Sequence, residues 1–147
     1  MKKHTISFND SGLILNGRLT KKQTNGSRLV YLNNHYVVKL ETFDRSVKHT
    51  QSFNEFTTYQ KIEKKDKKYF AQILGFGKIK ILDDNYCYIV QKRISKSKEI
   101  KRNYQHRKKV KELGEKYKIT DLHTNNWYVN QDGLPVIFDL GYSGTFY

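Results

Sequence analysis

The stretch Asp121-Leu122-His123-Thr124-Asn125-Asn126, followed by Phe138-Asp139-Leu140-Gly141, decides how this 147-residue chain is read. Between these motifs lie two short apolar runs, Trp127-Tyr128-Val129 and Val136-Ile137-Phe138, joined by Asn130-Gln131-Asp132-Gly133. Asp-Gly between apolar runs signals a hairpin, because both residues tolerate the positive φ of a tight turn. A hairpin brings its outer ends together, so Asn126 and Asp139, thirteen positions apart, are expected to be neighbours. Asp121 can accept a proton or orient a hydroxyl. Asn126 and Asp139 offer one neutral and one anionic oxygen to a hard cation.

Upstream, short apolar runs (Leu13-Ile14-Leu15, Leu29-Val30-Tyr31-Leu32, Tyr36-Val37-Val38) alternate with turn formers (Asn16-Gly17, Asn25-Gly26-Ser27, Asn33-Asn34), which predicts a three-stranded antiparallel meander. Residues 46–65 read as a helix, because Phe53, Phe56, Tyr59 and Ile62 form a slanting stripe, expected to pack on the sheet. Residues 69–80 and 85–94 read as two more strands with Asp83-Asp84-Asn85 turning between them. The order is β-β-β-α-β-β, giving a five-stranded antiparallel sheet and one helix. A charged helix is expected over 98–117, its apolar side formed by Ile100, Tyr104, Val110, Leu113 and Tyr117. The whole is read as one α+β domain, with a hinge near 94–98 separating a lobe of residues 1–94 from a smaller one of 95–147.

Phosphoryl transfer asks a protein for a cation at the phosphates, oxygen ligands for magnesium and a carboxylate for the attacking hydroxyl. Lys39, on the strand Tyr36-Val37-Val38-Lys39-Leu40, can turn its ammonium to the face opposite its apolar neighbours. Glu55, sixteen residues on, lies on the helix beside the aromatic stripe, where it could meet Lys39.

These segments resemble the protein-kinase superfamily. Val37-Val38-Lys39 is similar to the lysine strand, Asp121-Leu122-His123-x-x-Asn126 to the catalytic loop and Phe138-Asp139-Leu140-Gly141 to the metal-binding motif. His123 makes the loop more like aminoglycoside phosphotransferases and compact bacterial or phage kinase-like proteins. The resemblance implies a kinase-like fold with a truncated helical second lobe, and ATP and Mg2+ as cofactors. It implies Lys39 on the α- and β-phosphates, paired with Glu55, with Asp121 as base and Asn126 and Asp139 on magnesium. The backbone of Gln91-Lys92-Arg93 would meet adenine, and Gly26 and Ser27 would cover the phosphates. The chain departs from the pattern in three ways. Thr24-Asn25-Gly26-Ser27-Arg28 stands where a full GxGxxG is usual, Ile119 stands where a histidine is common, and six residues follow Gly141.

Twenty-eight Lys and Arg against fourteen Asp and Glu give a charge of +14, favouring polyanionic partners. Ten of those cations fall in 92–111 beside one acid, Glu99, a stretch suited to an acidic protein or to nucleic acid. No run of about 18 apolar residues and no apolar signal core is present, so a cytoplasmic protein without a membrane span is expected. The single Cys87 reads as strand packing, and no His/Cys/Asp spacing suits structural zinc. Abundant Lys, Asn, Tyr and Ile suit an AT-rich genome, bacterial or phage. The leading reading is a protein kinase-like enzyme acting on serine or threonine. The alternatives are a small-molecule phosphotransferase and a kinase-like module that binds nucleic acid or an acidic protein without turnover.

Overall fold

Asn16 and Gly17 both take left-handed backbone (φ 50° and 82°), which makes a two-residue turn whose twist matches the strands it joins. The strands around it are β2 (Gly12–Leu15) and β3 (Arg18–Gln23), part of a seven-stranded antiparallel sheet. The computed structural model describes residues 4–23, 28–120, 122 and 126–140. They fall into two compact units, Met1–Ser52 with Ile73–Arg93, and Phe53–Gln72 with Ile94–Tyr147.

The first unit holds the sheet. With β1 (Ile6–Asn9), β4 (Leu29–Leu32), β5 (Tyr36–Thr42), β6 (Ile73–Ile81) and β7 (Asp84–Lys92), its order is β1-β2-β3-β4-β5-β7-β6. The α+β class holds, but the sheet has seven strands where the sequence suggests five. The two extra strands, β1 and β3, carry little pattern to read, because β1 alternates over only four residues, Ile6-Ser7-Phe8-Asn9, and β3 is mostly charged. Of Arg18-Leu19-Thr20-Lys21-Lys22-Gln23 only Thr20 is buried, its hydroxyl donating to the Leu13 carbonyl at 2.8 Å. The turn between β6 and β7 also moves. It falls at Leu82 and Asp83 (φ 47° and 69°), one step before the expected Asp83-Asp84-Asn85.

Alternation sorts the sheet into two faces. Leu13, Leu15, Val38, Leu40, Tyr88 and Val90 form an apolar core on one of them. Lys39 and Glu41 of β5 lie on the other, opposite Ile89 and Cys87 of β7. Burial pushes the Cys87 thiol up, keeping it protonated as a packing residue.

The second unit contains most of α1 (Gln51–Lys61), a 3₁₀ segment Lys64–Tyr69, α2 (Tyr104–Tyr117) and a hairpin of β8 (Trp127–Val129) and β9 (Pro135–Ile137). Its core gathers Ile62, Phe70, Val110, Leu113, Trp127 and Ile137 among others, with Tyr59 packed against it. Two members of the aromatic stripe, Tyr59 and Ile62, thus serve this core, a correction to the sheet-facing role expected of them.

Helix α2 starts later than the 98–117 expectation. Asn103 caps it, accepting the His106 N–H while His106 Nδ1 accepts the Asn103 N–H, a reciprocal capping box. Ile100 and Tyr104 therefore fall outside the apolar side, and Tyr104 is 66% exposed. At the far end, buried Asp66 accepts from Lys116 Nζ at 2.8 Å and from the Tyr117 hydroxyl. These bonds hold its carboxyl below the usual carboxylate range, and the same carboxylate raises the pKa of Lys116. No helix among the described residues is long and apolar enough to cross a membrane.

Candidate active site

The hairpin is built by Asn130. Its side chain accepts the N–H groups of Asp132 and Leu134, both at 3.0 Å, and Gly133 supplies the positive φ (83°) that closes the turn. Trp127 then pairs with Ile137, and Phe138 donates to the Asn126 carbonyl at 3.0 Å. That bond sets buried Asn126 opposite Phe138, one residue from Asp139, as the hairpin reading expects. The outer edge of β9 is held too, because Ile137 accepts the Ala71 N–H at 2.8 Å. The metal-ligand candidates therefore lie just beyond the ends of a strand pair whose second strand is held on both edges.

Helix α1 grips the residue that follows Asp139. The Glu55 side chain is 1% exposed, and one of its oxygens accepts the Leu140 N–H at 2.8 Å. Asn54 reaches the Leu140 carbonyl at 3.5 Å. A buried carboxylate is tolerated only when its oxygens are satisfied, so this placement ties the backbone after Asp139 to one helix. Sequence reasoning singles out Glu55 as a partner for Lys39 and misses its bond to Leu140. It misses Asn54 altogether, since a helix asparagine carries no signal before its distant partner is known.

In the first unit, Lys39 is only 6% exposed, flanked by Val30 of β4 and Ile89 of β7. An ammonium is costly to bury, so its place among paired strands marks it off from the solvent-facing lysines of β3. Gln91 lies within β7, paired with Val37 on one side and Ile73 on the other, its side chain buried. Arg93 donates its backbone N–H to the His35 carbonyl at 2.8 Å and its guanidinium to the Asn33 carbonyl at 2.9 Å. Its N–H is thus committed to the His35 carbonyl. Gly26, Ser27 and Asp121 lie outside the described residues.

Part of the basic stretch is structural. Arg102 donates to the Trp127 carbonyl at 2.7 Å with its guanidinium 4.6 Å from the indole ring, and Lys96 and Lys109 stand over Tyr128 and Tyr69, each at 4.8 Å. These side chains cover the hairpin and its surroundings. Lys92, Lys98, Lys101, Arg107, Lys108 and Lys111 of that stretch are exposed.

Among the described residues no group of three or more His, Cys, Asp or Glu could hold a metal. Asn126 and Asp139 alone still fit magnesium. Both are hard oxygen donors, and this ion commonly takes one or two protein carboxylates and completes its shell with water and substrate phosphates. No protein-family model matches this chain, and no curated protein matches it.

Proposed function

We propose that this protein is an ATP- and magnesium-dependent phosphotransferase of protein-kinase-like build, transferring the γ-phosphate to hydroxyls of an acidic protein. The observation that carries the reading is the Asn126–Phe138 register. It puts Asn126 across the hairpin from Phe138, the residue before Asp139, while Glu55 accepts the backbone N–H of Leu140, the residue after it. Glu55 is buried, and this bond to its carboxylate restrains the backbone just after Asp139. A metal-phosphate site asks for that fixity, because phosphoryl transfer is catalysed by positioning and charge neutralisation.

In this account Asn126 and Asp139 hold magnesium, which neutralises phosphate charge when bound. Lys39 meets the phosphates from its buried place between β4 and β7. Asp121 orients the acceptor hydroxyl and takes its proton, and the carbonyl of Arg93 meets the base. Gly26 and Ser27 cover the phosphates. The order β3-β4-β5-α1-β6-β7, with Lys39 on the third of these strands and Glu55 on the helix that follows, supports the kinase-like reading. The charge of +14 supports an acidic acceptor.

The test follows phosphate released or transferred from γ-labelled ATP by the native chain and by Asp121→Ala, with nucleotide affinity measured alongside. The native chain is expected to turn ATP over, and the variant to lose turnover while binding ATP equally well. Equal rates in both would remove Asp121 as the base. Binding without turnover in the native chain would favour a nucleotide-regulated binding module.

A further inference from the structure

The second unit carries an open groove of about 780 Å³ along one face of α2. Arg107, Val110, Lys111, Gly114, Glu115 and Lys118 line it at spacings of three and four, the signature of a single helix face. Its floor is apolar, made by Val110, Ile119, Leu122 and Trp127. Gly114 is what lets the floor form. A β-carbon there would stand 2.6 Å from Leu122 Cδ1, so a larger residue would push Leu122 off the helix.

The rim has the opposite character. Arg107, Lys111 and Lys118 are exposed and are opposed by one acid, Glu115. An apolar floor under a cationic rim asks for an occupant with apolar anchors on one side and carboxylates on the other. Nucleic acid meets the rim but places phosphates and sugars, not hydrocarbon, over the floor. A second copy of the chain would bring one +14 charge against another.

We propose that this groove docks an acidic amphipathic helix of a partner protein. From Arg107 to Lys118 the rim runs roughly 17 Å at 1.5 Å per residue, about three turns, so a short helix lies along it with a leucine-like anchor on Leu122, the floor residue that is partly exposed. The docking gives the acidic partner proposed above a place to bind, but it depends on no nucleotide chemistry. Loss of ATP binding and loss of peptide binding are therefore separate results.

The probe is a synthetic helical peptide about 14 residues long, with leucines at helical spacing and glutamates elsewhere. A scramble of the same composition and a short DNA duplex serve as comparators, each titrated into the full chain labelled with ¹⁵N. The peptide is expected to bind about tenfold or more tighter than its scramble and to shift the amides of Val110, Gly114 and Leu122. Arg107→Glu with Lys111→Glu is expected to abolish that preference without changing the melting temperature, since both side chains are exposed. Equal binding of ordered and scrambled peptides would reduce the groove to bulk charge and overturn the proposal. So would shifts lying elsewhere, tighter binding of the duplex at the same amides, or no shift at all.

Discussion

Gly77 and Tyr88 face each other directly across β6 and β7, with the tyrosine ring lying over the glycine. A β-carbon at position 77 would fall onto the hydroxyl oxygen and stand 2.6 Å from Cζ and 2.8 Å from Cε1. Gly to Ala inside a strand ordinarily stabilises, by roughly 0.5–1 kcal/mol, because the unfolded chain has less freedom to lose. Here the ring must leave a core in which Tyr88 is 8% exposed. Overpacking of that kind costs about 1–3 kcal/mol, so Gly77→Ala should destabilise by about 1–2 kcal/mol net. For a chain of this size that is a melting temperature lower by roughly 3–8 °C. In a Tyr88→Leu background the clashing atoms are gone, and the same Ala should stabilise by about 0.5 kcal/mol or more. Thermal melts of the four proteins in the cycle yield the coupling directly. If Gly77→Ala raises the melting temperature equally in both backgrounds, the packing argument fails.

Leu82 is 94% exposed and held at φ 47°, a backbone region that costs an ordinary residue about 1–2 kcal/mol, so Leu82→Asn should raise the melting temperature by a few degrees; a fall would show the side chain matters. Asp66 is held below the usual carboxylate range by Lys116 and Tyr117. The stability it adds is therefore full above the unfolded value of about 3.9 and is lost as pH falls through the lower folded value. Acid titration of stability should be shallower for Asp66→Asn, and identical acid limbs would refute the assignment. His106 closes the α2 cap and bonds the Gly133 carbonyl at 2.9 Å through Nε2, so His106→Ala should cost about 1–2 kcal/mol by melting.

The hairpin was legible in the sequence because its signals are local: Asp132-Gly133 sets the turn and its strands are apolar. The strands around Lys39 and Cys87 were legible for the same reason. Strands β1 and β3 were not, because the alternation of β1 lasts only four residues and β3 has one buried residue, Thr20, among exposed and mostly polar side chains, too little local pattern to mark a strand. The start of α2 was written as Asn103 with His106 three places on, but the acceptor at that third place is a histidine in place of the usual acid. Asp66 and its partners, some fifty positions apart, and the bond from Glu55 to Leu140, 85 positions apart, depend on tertiary proximity that local pattern does not contain.

The most direct test of the central claim is the melting temperature of the full chain with ATP and magnesium, beside Lys39→Ala and Asp139→Asn. A ligand at 100 times its dissociation constant stabilises by about 2.7 kcal/mol, a rise of several degrees here. The account predicts that rise in the native chain and its loss in both variants. No rise at millimolar ATP, or the same rise in all three proteins, would contradict it.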